Sequence, residues 1–176
     1  MAGDGVAGHT IGVVLAIPSP VREQIDAARG RFDPSSSDLP AHVTVLAPID
    51  VDADAMPVVE SHLAAVARAT APFTVVLRGT GTFRPVSPVV FIRVVDGAAE
   101  CARLEQCVRS GDMAVDARYA YHPHVTIAHD VPDEVLDEAE CELSGFEAAV
   151  DVASMGWYEH IDGVWRPVRE FPFTGA

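Results

Sequence analysis

Residues 40–49 read Pro-Ala-His-Val-Thr-Val-Leu-Ala-Pro-Ile, and residues 121–129 read Tyr-His-Pro-His-Val-Thr-Ile-Ala-His. The phrase His42–Val45 thus recurs almost unchanged as His124–Ile127. Both copies are rich in β-branched residues, the composition of a strand. Strand side chains alternate between faces. His42 and Thr44 therefore share one face, with Val43 and Val45 behind them. His124 and Thr126 share a face in the same way, backed by Val125 and Ile127. Each copy offers one imidazole and one hydroxyl, and the two copies are expected to face each other across one cleft.

The order of elements around the two phrases also repeats. Residues 9–17 read as a buried strand. Ser19 is placed to cap a helix with Pro20 at its first position, and Val21, Ile25 and Ala28 form that helix's apolar face up to Gly30. A polar loop, 31–40, leads into the first His-Val-Thr strand, which ends at Pro48. The periodicity predicts a helix over 53–69, with Val59, Leu63 and Val66 inward, and a strand over 72–82. The second half reads as a strand at 88–95, a helix at 97–109 with Cys101, Leu104 and Val108 inward, and a loop carrying Tyr119 and Tyr121. The second His-Val-Thr strand, a helix at 133–142 and a strand at 146–158 follow. The pair Asp162-Gly163 signals a hairpin into a last strand at about 164–173. The expectation is one domain over 1–176, with lobe one at about 9–82 and lobe two at about 86–174. Its class is α+β: a bilobal, pseudo-two-fold duplicated fold, antiparallel sheets lining a central cleft and helices outside.

Composition narrows the chemistry. The formal net charge is −14, and all 12 basic side chains are arginine. A chain without lysine cannot build a P-loop, a lysyl-nucleotidyl intermediate or a Schiff base. Its acidity disfavours long nucleic acid, whose binding relies on neutralising many phosphates. No apolar run is long enough to span a membrane, and Met1 to Gly8 lacks the pattern of a signal peptide. Three cysteines with no CxxC spacing point to reduced thiols and a cytoplasmic protein rather than a disulfide framework. The six acids of 133–142 read as a solvated helix face.

Two imidazoles on one ligand can divide the work of base and acid, because imidazole titrates near pH ~6.5. Hydrolysis of a phosphodiester needs that division. One histidine takes a proton from the attacking water, and the other protonates the leaving oxygen. Hydroxyls beside them can hold the non-bridging oxygens where transition-state charge gathers. A zinc pair is the other chemical option, but it lacks a third ligand in phase. No GxSxG elbow, HExxH motif or catalytic-cysteine context is present.

With these motifs the chain resembles the 2H phosphoesterase superfamily, in particular its 2′-5′ RNA ligase-like branch. The resemblance rests on "PAHVTVLAPI", "FRPVSPVVFIRV" (83–94) and "YHPHVTIAH", and covers nearly the whole chain. It implies cyclic phosphodiesterase or 2′-5′ ligase/esterase chemistry on RNA ends or nucleotides, with no cofactor, metal or ATP. Members often carry an aromatic residue five positions after the first motif histidine and an arginine five after the second. Here those positions are Ala47 and His129.

The catalytic candidates are therefore His42, Thr44, His124 and Thr126. Candidate substrate contacts are Phe91, Arg93, Tyr121 and His129. Phe91 could stack on a base and Arg93 hold a phosphate; core packing and a surface ion pair are the competing readings, and Arg84 is a similar case. His122 and Tyr121 stand where the cleft mouth is expected. By strict alternation His129 points away from His124, and it joins the pocket only if the strand bulges. His9, His62 and His160 read as structural, and Trp157, Tyr158 and Trp165 as core. The partner expected is a small nucleotide or RNA terminus bearing a cyclic or 2′-5′ phosphodiester, on a monomeric protein. Two alternatives accompany the hydrolase: a binding module that senses a nucleotide or RNA end without turnover, and a 2′-5′ RNA ligase running the reverse reaction.

Overall fold

A computed structural model of the chain describes residues 8–115 and 119–176. The segment 1–7, within the stretch read above as carrying no signal peptide, lies outside the described residues, as does 116–118. Among the described residues, eight strands and four helices follow in the order β1 (Gly8–Ala16), α1 (Val21–Phe32), β2 (His42–Asp52), α2 (Met56–Ala69), β3 (Phe73–Thr82), β4 (Val89–Asp96), α3 (Ala98–Val108), β5 (His124–His129), α4 (Asp133–Glu142), β6 (Glu147–Val152), β7 (Ser154–Ile161) and β8 (Val164–Pro172). Short 3-10 turns occupy Pro34–Asp38, Ala53–Ala55 and Gly111–Met113.

The strands form two four-stranded sheets, ordered β2-β1-β7-β8 and β5-β4-β3-β6. All their pairings are antiparallel. The expected α+β class with antiparallel sheets is what the chain adopts. Each motif strand is an edge of its own sheet, and the two edges, β2 and β5, touch. Central strands such as β1 are apolar on both faces, with Ile11, Val13, Leu15 and Val14 all buried. The helices bury one stripe each: Ile25, Ala28 and Phe32 on α1, Val59, Leu63 and Ala67 on α2, Cys101, Leu104 and Val108 on α3, Leu136 and Ala139 on α4. Fully burying an aliphatic side chain contributes roughly 1.5–3 kcal/mol, so these stripes hold the helices to the sheets.

The sheets do not follow the division of the chain near residue 82. β3 leaves the first half and pairs with β4 and β6, while β7 and β8 return from the second half to complete the sheet of β1 and β2. The expected strand over 146–158 is accordingly two strands in two sheets, broken at Ala153. Its buried residues are Val150 and Val152, then Met155 and Trp157. The interval of three between Val152 and Met155 breaks the two-residue period, and the chain changes sheets there.

Two smaller expectations also shift. Ser19 does not cap α1; its hydroxyl donates to Glu23 Oε1 at 2.5 Å. The helix runs past Gly30 to Phe32, whose ring is buried.

Candidate active site

Helix α1 holds one end of each motif strand, the residue before His42 on β2 and His129 at the far end of β5. Asp26 Oδ1 accepts from the Ala41 N–H at 2.8 Å and from Arg29 Nη1 at 2.8 Å. Arg29, itself buried, also donates to the Leu39 carbonyl at 2.8 Å and the Ser36 carbonyl at 2.7 Å. The turn that delivers β2 is therefore clamped to α1. At the end of the same helix the buried Asp33 accepts from the Ser35 hydroxyl at 2.5 Å and the His129 N–H at 3.3 Å, which ties down the far end of β5. One helix thus grips the entry to one motif strand and the exit from the other.

The two motif histidines are anchored alike. His42 Nδ1 donates to the Pro40 carbonyl at 2.7 Å, and His124 Nδ1 donates to the His122 carbonyl at 2.6 Å. Each partner is two residues upstream. A carbonyl can only accept, so both rings carry their neutral-state proton on Nδ1 and keep Nε2 for a ligand. His42, Thr44, His124 and Thr126 all line one hollow of about 530 Å³. Neither threonine hydroxyl has a hydrogen-bond partner among the described residues. The sequence expectation that the two phrases face one cleft is the arrangement found.

Both imidazoles are held below their ordinary range. Burial pushes His42 down from 6.5 to about 4, against the opposing pull of the Pro40 carbonyl, with the nearby Arg29 and His124 adding to the depression. His124 is lowered first by burial, is raised in part by its bond to the His122 carbonyl, and is lowered again by the neighbouring His122 ring. Burial disfavours the charged form of an imidazole.

The strands also bulge in matched places. On β5, Phe91 pairs with Thr126 but Val90 pairs with Ala128, so Ile127 is an extra residue. On β2, Val14 pairs with Thr44 but Val13 pairs with Leu46, so Val45 is extra. A bulge inverts the alternation beyond it. His129 therefore returns to the side of His124 and lines the hollow, contrary to strict alternation. Its Nε2 meets Asp130 Oδ2 at 2.8 Å. Ala47, its counterpart on β2, lines a second hollow of about 740 Å³ that shares Thr44 and His124 with the first.

The remaining expectations divide. Tyr121 lines the second hollow and its hydroxyl donates to the Thr44 carbonyl at 2.9 Å. His122 lies beside it, its ring 5.5 Å from Phe83 and 5.3 Å from Phe91. Phe91 does not offer a stacking face: it is 4% exposed and packs at 4.4 Å on Phe83 and 5.0 Å on His124. It is a wall behind the catalytic candidate, the packing alternative. Arg93 lies across the face of Gly79, outside the lining of both hollows. Arg84 is engaged by α4, at 2.8 Å from Asp137 and 3.0 Å from Glu140, so part of that acidic face is paired.

Three residues read as core or structural instead line the first hollow: Tyr158, His160 and Trp165. Trp157 alone of the group is core. Alternation along β7 carried the signal, since Trp157 and Tyr158 must face opposite ways.

A family model described as the 2′-5′ RNA ligase superfamily matches residues 17–163. A Bacillus cytotoxicus protein, provisionally named a phosphoesterase, is 28% identical over 70% of this chain and 71% of its own. One from Bacillus thuringiensis, named in the same way, is 25% identical over 92% of this chain and 95% of its own. Among solved structures, apo LigT of E. coli superposes with a TM-score of 0.70 at 20% identity, covering 96% of this chain and 99% of LigT. LigT has also been solved with 3′-AMP, at a TM-score of 0.69 and 20% identity over the same shares. At such identity the likeness is one of fold. The resemblance drawn from the paired motifs is borne out at family level.

Proposed function

This chain belongs to the 2′-5′ RNA ligase superfamily, and we propose that it is a metal-independent phosphodiesterase hydrolysing a 2′,3′-cyclic phosphate or a 2′-5′-linked nucleotide or RNA end. One observation carries the reading: two imidazoles on opposite strands, each anchored through Nδ1 to the carbonyl two residues upstream, each with a threonine two residues on. Nδ1 keeps its proton in both charge states, so each ring exchanges a proton at Nε2 without losing its anchor.

His42 is the base. Burial keeps it neutral at neutral pH, and its Nε2 takes a proton from the attacking water as the new P–O bond forms. His124 is the acid. It gains its proton when the anionic phosphodiester enters, since a neighbouring negative charge favours imidazolium, and it gives that proton to the ribose oxygen as the old P–O bond breaks. Thr44 and Thr126 donate to the non-bridging oxygens, where charge builds. The proton transfers require no metal. A small nucleotide as ligand is supported by the 3′-AMP complex of LigT.

The test is hydrolysis of the four nucleoside 2′,3′-cyclic monophosphates in EDTA, with the His42→Ala and His124→Ala variants alongside. Turnover that survives EDTA and falls at least ~100-fold in both variants supports the mechanism; turnover near the wild-type rate in either variant refutes it. Binding without turnover is a second reading, favoured by the depressed state of both imidazoles, which leaves the free site with two bases and no acid. Nucleotide binding with no hydrolysis at any pH would select it.

A further inference from the structure

The inner face of the β2-β1-β7-β8 sheet continues beyond His42 and Thr44 into an aromatic floor. Register places Thr44, Val14 and Gly156 side by side, then Gly12 beside Tyr158, then Thr10, His160 and Trp165. Residues opposite one another on neighbouring strands share a face. Two of these positions are glycine: the Tyr158 ring fills the space a side chain on Gly156 would take, and the Trp165 ring lies in contact range over Gly12. The benzo edge of Trp165 passes 3.5 Å from where a Cβ on Gly12 would lie, and the Tyr158 ring passes 2.9 Å from that point on Gly156. The Trp165 and His160 rings are 5.1 Å apart, inclined at 50°. Trp165 is only partly buried, and it lines the same hollow as the two histidines.

This end of the hollow is poorly suited to a further phosphate. The one guanidinium lining it among the described residues is Arg29, already spent on Asp26 and two carbonyls. Asp38 lines it too. A carboxylate and an indole favour an uncharged planar ring with hydrogen-bond donors on its edge over an anion.

We propose that Trp165, flanked by His160 and Tyr158 on the β7–β8 hairpin, is the stacking platform for the substrate's nucleobase. The inference rests on the phosphodiesterase reading for the position of the phosphate between His42 and His124. It supplies the base contact that Ala47 cannot provide and that Phe91, walled in behind His124, does not offer. Trp165 is a specificity residue and takes no part in proton transfer.

The experiment compares adenosine 2′,3′-cyclic phosphate with the base-free methyl riboside 2′,3′-cyclic phosphate, in the wild type and in Trp165→Ala and Trp165→Tyr. Removing a stacking ring costs ~10- to 100-fold in affinity for one base. Trp165→Ala should raise KM for the nucleotide by that factor with kcat little changed. It should leave both constants for the methyl riboside unaltered, and Trp165→Tyr should recover most of the loss. Titration of the wild type with 3′-AMP gives a readout that needs no variant to fold. Trp157 is buried, so indole fluorescence quenched by 3′-AMP, and not by inorganic phosphate, reports Trp165. If nucleotide is bound and cleaved but Trp165→Ala binds it as tightly, or 3′-AMP binds without quenching, the platform is refuted while the phosphodiesterase stands. Quenching without hydrolysis of any diester supports the platform and refutes the phosphodiesterase. No binding and no turnover of either class overturns both.

Discussion

The Tyr121 hydroxyl donates to the backbone carbonyl of Thr44 at 2.9 Å, joining the loop that enters one motif to the strand that carries the other. Tyr121 is half-buried and burial drives its phenol far above its ordinary range, so it remains a donor at every working pH. Tyr121→Phe removes this bond and leaves the ring. We expect a loss of about 1 kcal/mol in stability, the usual worth of such a bond, read as a lower Tm. We also expect a several-fold fall in kcat, because the Thr44 hydroxyl must sit within a fraction of an ångström of a phosphate oxygen. Unchanged kcat in Tyr121→Phe would show that the bond only staples the loop.

Truncation of either motif histidine should cost about 10²- to 10⁴-fold in kcat, the usual worth of a positioned proton donor or acceptor. His42→Ala with His124→Ala should be far less than multiplicative, because one transfer without the other leaves the reaction incomplete. Circular dichroism and Tm would confirm that the fold persists in each variant.

The depression of His42 has a consequence for acid stability. Its folded pKa, about 4, lies below the ordinary 6.5. Between those values the unfolded chain binds a proton that the folded chain refuses. Stability is therefore full above pH ~6.5 and falls as pH drops towards 4, by on the order of 3 kcal/mol in total. His42→Asn should lose less stability than the wild type between pH 6.5 and 4.5 in urea titrations. A parallel pair of curves would contradict the assignment. The same value places the acid limb of kcat/KM well below pH 6.

Arg29 should behave as a positioning residue. It holds Asp26 and the carbonyls of Ser36 and Leu39, one turn upstream of His42. Arg29→Met leaves those partly buried acceptors without their donor and should cost roughly 1–3 kcal/mol. Arg29→Lys cannot reproduce the fork that reaches three oxygens. In that variant kcat should fall more than KM rises, since the loop holds His42 through the Pro40 carbonyl. Equal effects on kcat and on stability alone, with an unshifted pH profile, would assign Arg29 to the fold and not to the site.

Much of the site is written in the chain. A doubled His-Val-Thr in β-branched company sets the strand period and the shared face of imidazole and hydroxyl in each copy. Those are local properties, carried by side-chain chemistry and the two-residue repeat of an extended backbone. The helices were legible for the same reason, through their apolar stripes. The change of sheet near Ala153 also left a trace, as the slipped alternation between Val152 and Met155.

Other features exist only in the folded molecule. Which sheet receives β3, β7 and β8 depends on pairings between residues as distant as Gly12 and Tyr158. The bulges at Val45 and Ile127 depend on the partner strand being one residue short, and the one at Ile127 brings His129 into the cleft. Phe91 and Trp165 are both aromatic residues of strands, with no local mark to tell a packed wall from an open platform. Tertiary structure separates them because one is covered by Phe83 and the histidines while the other lies over Gly12, with its indole left in the cleft. Sequence determines which side chains an element presents; long-range packing determines what stands in front of them.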